Sequence, residues 1–223
     1  MGSRPYTLVK TRVVRLTRLD ECGAIQFGLR SSLVTEGFVK AENKWDIEDG
    51  AKSEQKNDWG DFCLNEEDDP KIKGGDVTIE FCNVDPDSYD LVSGARVIAA
   101  GVGGLGPIAS GVSIGYAVGR DTVPGHFALE AWTKVGGGAC AGGAPLWVYS
   151  VYPHLMGGRP SDQSIDRGTT TFSQAAKARF AAGWDSGPYG DNILTVSDGE
   201  AFGQVLTTVQ PPAATDGAVL LAH

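Results

Sequence analysis

The sequence predicts an all-β protein, a sandwich or barrel of short strands with one short flanking helix. Short runs rich in β-branched and aromatic residues recur along the chain between clusters of Gly, Pro and Asp. Glycine, at 31 residues, stands at about twice its usual share, which means many turns. Neither a βαβα alternation nor a strong internal repeat is visible.

A chain of 223 residues fills one core and is short for two. Its 28 acidic and 19 basic residues give a net charge of -9, which argues against gripping nucleic acid by its phosphates. The same charge suits a surface that nucleic acid must pass without sticking. The start, "MGSRPYTLVKTRVVRLTRLD", has no apolar h-region and no small-residue cleavage site, so no secretory signal is expected. Arg4, Lys10, Arg12, Arg15 and Arg18 make it a basic arm before an acidic body. That arm is either a contact for an acidic neighbour or a solvated leading strand.

The first strand is expected over 12–19, "RVVRLTRL", and strand-like composition continues over 33–47 with Phe38 and Val39 at its centre. A turn at Glu48-Asp49-Gly50 precedes a short strand in "WGDFCL". Residues 65–75, "NEEDDPKIKGG", read as an acidic loop. Glu66, Glu67, Asp68 and Asp69 lack the alternating ligand spacing of a calcium loop, so a solvated turn is expected. "DVTIEFCN" (76–83) is the clearest strand, with Val77, Ile79 and Phe81 on one face and Thr78, Glu80 and Cys82 on the other. The helix follows: Asp85 caps it, Pro86 suits its first position, Asp87 favours its positive end and Gly94 closes it.

Further on, "GHFALEAWTKV" (125–135) alternates, and "PLWVYSVYPHL" (145–155) is an aromatic strand ended by Pro153, with Trp132 and Trp147 as core. "SIDRGTTTFSQ" reads as strand, turn, strand. "QAAKARFAAGW" is ambiguous, its alanines favouring helix and its position a strand. "GWDSGPYGDN" is a turn cluster, and "ILTVSD" and "AFGQVLTTVQ" are strands. "PPAATDGAVLLAH" is an extended or mobile end. These elements divide the chain into an arm (1–11), a single β domain (12–210) and a C-terminal extension (211–223).

Residues 96–121, "RVIAAGVGGLGPIASGVSIGYAVGRD", carry three misleading patterns. Gly101, Gly103 and Gly106 have dinucleotide-fingerprint spacing, with Asp121 at a ribose-like distance. However, Gly111, Gly115 and Gly119 among β-branched neighbours do not make the helix that must follow. Gly111-Val112-Ser113-Ile114-Gly115 has nucleophile-elbow spacing, with Asp121, His126 and His154 downstream, but again no helix and no α/β scaffold. The uncharged stretch from Val97 to Gly119 is long enough for a membrane span but rich in Gly and poor in large apolar residues. A hairpin fits better: Val112, Ile114, Tyr116 and Val118 alternate with Ser113, Gly115, Ala117 and Gly119, and "ARVIAA" (95–100) is the partner strand. No catalytic residue, cofactor or metal ligand is assigned. Cys22, Cys63, Cys82 and Cys140 are scattered without a C-x-x-C pair. Free buried thiols are the default and two disulfides, in any of three pairings, the alternative.

Four motifs in order, "TRVVRLTRLDECGA", "VTIEFCNVDPD", "HFALEAWTKVGGGAC" and "GWDSGPYG", resemble major tail tube proteins of long-tailed (siphovirus-type) phages that infect actinobacteria. The resemblance covers about residues 11–196 and departs in the Gly-rich loop at 101–110 and in "QAAKARFAAG". It implies a β-sandwich flanked by a short helix, and six copies closing into a ring. It also implies stacking of rings around a tape-measure protein into a tail tube capped by tail terminator and distal tail or baseplate proteins. Long loops or the N-terminal arm then reach the next ring, and genomic DNA passes through the lumen without specific binding. The resemblance implies a virion component assembled in the host bacterial cytoplasm, with no enzymatic role, no cofactor and no membrane partner. On this reading, 95–100, 111–119 and 126–134 help form the inner wall. Rival readings are a β-sandwich carbohydrate-binding or adhesion module, and another ring-forming virion protein such as a terminator or head decoration.

Overall fold

The structure, a computed structural model, describes residues 7–82, 85–101, 104–136, 145–160, 172–180, 184, 187–191, 193–215 and 217–222. The fold is built outward from β9 (His126–Gly136), a strand with little exposed surface on either face. Phe127 and Leu129 enter one apolar cluster with Val14, Leu16, Leu33, Val77, Ile79 and Phe81. Ala128 and Trp132 enter a second with Trp147, Tyr149, Val151, Trp184 and Val196, so both tryptophans are core as expected. Trp132 meets the Tyr149 ring edge-on with centroids 5.1 Å apart. Each large side chain so buried stabilises by about 1.5–3 kcal/mol, which makes the middle of the sheet its strongest part.

β1 (Thr7–Leu19) lies antiparallel along one edge of β9 and begins earlier than its composition indicates. The strand-like run over 33–47 is in fact two strands, β2 (Gly28–Thr35) and β3 (Phe38–Glu48), parted at Glu36-Gly37. β2 pairs with β1, whereas β3 pairs with β6 (Lys71–Phe81) at the opposite end of the sheet. β6 presents Val77, Ile79 and Phe81 to the core as its alternation requires.

The strand expected to stop at Pro153 continues: β10 spans Trp147–Pro160, with a register shift between Tyr152 and Leu155. An irregularity in the ladder spares proline the donor it lacks, so it is tolerated there. Beyond β9, β10 first pairs with β12 (Gly203–Thr207) and then with β11 (Phe172–Ala178), which joins β6. The alanine-rich segment is therefore strand as far as Ala178: Gln174, Ala176 and Ala178 are buried while Ala175 and Lys177 face out, and pairing on both edges overrides helix propensity; residues 181–183 lie outside the described residues. Curling round, the sheet brings β3 close to β1 without a ladder between them, so it is not closed and the barrel alternative falls.

Helix α1 (Pro86–Ser93) begins and ends as its residues dictate. The Asp85 carboxylate accepts from Asp87 N at 2.9 Å, and Gly94 closes it at φ 68°. It presses on β10 where a Cβ at Gly157 would lie 1.6 Å from Val92 O, so that position must be glycine. Upon the helix rests the expected hairpin, β7 (Arg96–Ala99) and β8 (Ser113–Ala117), a separate two-stranded sheet whose Tyr116 stacks on Tyr89 at 3.9 Å.

Three further expectations are narrowed or overturned. Of residues 65–75 only 68–70 are loop: β5 (Phe62–Glu67) pairs with β4 (Lys52–Lys56), and β6 starts at Lys71. The charges that mimic a loop are cross-strand partners on an exposed ribbon, Lys52–Glu67 at 3.1 Å and Lys73–Glu48 at 2.9 Å. "ILTVSD" contributes only the bridge of Val196 to Trp184. Of the two readings of the tail the extended one holds, and the tail is docked: β13 (Val219–Leu221) pairs with β2, Thr215 N donates to Val34 O at 2.9 Å, and Leu221 is buried. Of the strand–turn–strand reading over 164–174, residues 161–171 lie outside the described residues.

Arg15 is 1% exposed and stands opposite Glu130 across the β1–β9 ladder. Its Nε and Nη2 donate to Glu130 at 2.5 and 2.7 Å, and Nη1 donates to Asp191 at 2.8 Å. Tyr149 donates to Glu130 at 2.7 Å. Burial opposes the guanidinium charge, but the bonds to Glu130 and Asp191 overcome it and hold Arg15 above its ordinary pKa. Replacing Arg15 by Leu leaves a buried carboxylate without its cation. Urea unfolding is expected to show a loss of about 3–5 kcal/mol, much of it recovered when Glu130 is also changed to Leu.

Candidate assembly surfaces

The residues that imitate catalytic motifs have separate partners. Ser113 Oγ donates to Asp87 Oδ1 at 2.8 Å, His126 Nδ1 lies 2.8 Å from His154 Nε2, and Asp121 stands exposed beside Arg120. They form no Ser–His–Asp arrangement. Gly104 and Gly106, at φ 76° and 58°, belong to a tight turn closed by the Leu105–Ile108 bridge rather than to a helix start. Gly103 lies outside the described residues.

Asp87 is the residue that sequence reasoning undervalued. Besides favouring the helix start, its nearly buried carboxylate ties down two distant segments, taking Ser113 Oγ on one oxygen and Ala218 N, at 2.8 Å, on the other. A Cβ on Gly217 would sit 2.6 Å from Oδ2, and that residue holds φ 83°, so the tail approaches this carboxylate only with glycine. Arg30 Nη1 stands 3.7 Å away. At the neighbouring cap, burial pushes the Asp85 carboxyl up against the opposing pull of the Asp87 N–H.

Among the described residues, two projecting surfaces are left largely uncovered. On the β7–β8 hairpin the expected alternating face is split by a bulge: Tyr116 packs on Tyr89, whereas Val112, Ile114 and Val118 are 48%, 38% and 50% exposed, next to open Ile98 and Leu105. Alternation made this hairpin legible, but not which face would be left uncovered. The second surface is the ribbon formed by the outer ends of β3 and β6 with β4 and β5. Nearly all of residues 46–73 are exposed, including Ile47, Phe62, Leu64, Ile72 and Trp59, the last at 90%. This ribbon carries ten acids against four lysines, most of the chain's negative excess.

The segments 95–100, 111–119 and 126–134 contain one acid, Glu130, and it is buried against Arg15. The strands expected to form an inner wall therefore present no exposed acid, and the densest run of acids is on the ribbon. β3 and β13 terminate the main sheet at its two ends. Cys22, Cys63 and Cys82 are free, and they are exposed rather than buried, because each lies in a turn, on the ribbon or just past a strand end. Cys140 lies outside the described residues. Among the described residues no cluster of His, Cys, Asp and Glu could hold a metal ion, and no helix is long and apolar enough to cross a membrane. No protein-family model and no curated protein matches the chain.

Removing the Asp87 carboxylate releases two attachments at once. Asp87→Ala is expected to cost about 1–3 kcal/mol. In hydrogen exchange it should loosen residues 111–115 and 215–221 ahead of the central strands, because both segments lose the same acceptor.

Proposed function

We propose that this chain is a structural subunit of a phage tail: six copies close into a ring, and rings stack into the tail tube that conducts DNA into the host. The observation that carries the reading is the pair of surfaces left exposed among the described residues, the apolar hairpin and the acidic ribbon, on a described sheet that ends at β3 and β13. A lone soluble domain gains nothing from holding branched apolar residues in water, and edges left open invite pairing with another chain. Neighbouring copies cover such surfaces, and head-to-tail contacts between non-identical patches generate rings and open stacks.

In this assembly the two facing halves of the curled sheet act as the sandwich, and α1 flanks it. The ribbon has the length to reach an adjacent ring: about fourteen residues of extended strand span roughly 45 Å. Its partners are other copies of the chain, a tape-measure protein within the tube, and terminator and distal tail proteins at its ends. The subunit is part of the virion, is put together in the bacterial cytoplasm, and needs no catalytic group or cofactor. DNA slides past without specific binding because like charge disfavours phosphate contact. The ribbon, the densest run of acids on the chain, supplies part of that charge where it comes near the lumen.

Negative-stain electron microscopy of the purified chain at rising concentration tests the reading. Hollow tubes or six-membered rings are expected for the wild type, and their loss in the Ile114→Asp, Val118→Asp variant. That variant should keep its unfolding free energy within about 0.5 kcal/mol, since both side chains are already wet. Monomers at every concentration, even with a tail-initiating complex supplied, would overturn it.

A further inference from the structure

Both described histidines face each other at one structural joint. His126 opens β9, opposite Leu19 at the end of β1, while His154 follows Pro153 in the irregular stretch where β10 changes partners. Their facing nitrogens are 2.8 Å apart, and His154 is 4% exposed. Over the His154 ring lies the turn joining β1 to β2. Asp20 Oδ1 accepts from Cys22 N at 2.9 Å and from Ala24 N at 2.8 Å, and a Cβ on Gly23 would be only 3.2 Å from His154 Nδ1. The turn therefore rests on an imidazole whose orientation is set by the other imidazole.

We propose that His126 and His154 form an acid-released latch that fastens the Asp20–Ala24 turn to the bend of β10. The bond between the rings needs one nitrogen with a proton and one without. A first added proton goes to an outward-facing nitrogen and leaves that bond in place. A second puts N–H groups on both facing nitrogens, the bond is lost, and a ring must turn against Gly23 or leave. The surrounding charges are divided. Arg179, whose N donates to His154 O at 3.0 Å, opposes protonation, while Asp20 and Glu21 on the turn favour it.

Burial, the largest influence, holds both rings below the ordinary imidazole value; Arg179 adds to it for His126, and His126 and then Arg179 for His154. Because the folded values are depressed, the unfolded chain binds more protons in the acid range. The latch is thus at full strength above about pH 6.5 and weakens as pH falls through the folded values.

The test is hydrogen exchange of the 18–27 segment from pH 7.5 to 4.5, corrected for intrinsic exchange, in wild type and in His126→Gln, which can hydrogen-bond but not titrate. The wild type should lose at least tenfold protection at Gly23 and Ala24 while Leu129 in β9 stays protected. In His126→Gln protection should not change with pH. Equal loss in both proteins would show that the pair of imidazoles is not needed for it and overturn the latch, as would flat protection in the wild type. Should the variant not fold, nitrogen-15 titration of the wild-type imidazoles decides. Two coupled steps, the second coinciding with the loss of protection, support the latch; two independent steps at the ordinary value overturn it.

Discussion

A guanidinium without water must be matched on every side, and Arg15 dictates the neighbourhood that matches it. Glu130 supplies two oxygens from the next strand, Asp191 supplies more from a loop, and the rings of Trp132 and Tyr189 lie 5.5 and 5.4 Å from the charge. Tyr149 fixes Glu130 from β10. Three strands and the loop after Trp184 are thereby held in one register. A one-residue slip of β1 against β9 would put Arg15 in the apolar cluster on the other face. The pair thus specifies an alignment; its share of net stability is limited by the cost of desolvating both charges.

Much of this was legible because the physics involved is local. Asp85, Pro86 and Gly94 spell a helix in eight residues, and Val77, Ile79 and Phe81 spell a strand half in the core. The hairpin of 95–100 with 111–119 emerged from alternation alone. What failed depends on partners far away in sequence. The alanine-rich run is strand as far as Ala178 because β10 and β6 flank it, and Pro153 lies within a strand because the ladder is irregular there. The tail is ordered by Asp87, more than a hundred residues earlier. In the ribbon, alternating acids and lysines that pair across two strands look from one strand like a solvated loop.

The surfaces were legible to different degrees. An uncharged run from Val97 to Gly119 announces an apolar surface, but composition does not say whether it meets the protein's own core or another molecule. The structure leaves Val112, Ile114 and Val118 outward, packs Tyr116 on the helix and spends Ser113 on Asp87, so the residue at the centre of a hydrolase-like pattern is a fastening. Asp87 itself looked like ordinary helix-start chemistry, since nothing in its local sequence marks the two segments that converge on it.

The charge on the ribbon has a consequence for the tempo of any self-association. Two ribbons approaching side by side carry the same sign and repel over about 8 Å at physiological ionic strength, and over a longer range in dilute buffer. The hairpin carries no charge from Val97 to Gly119 and is indifferent to that screening. Were copies of the chain to associate, the ionic atmosphere would decide the sequence of encounters: in thin electrolyte the greasy surfaces would meet first, and only in thicker electrolyte would the ribbons tolerate one another's company.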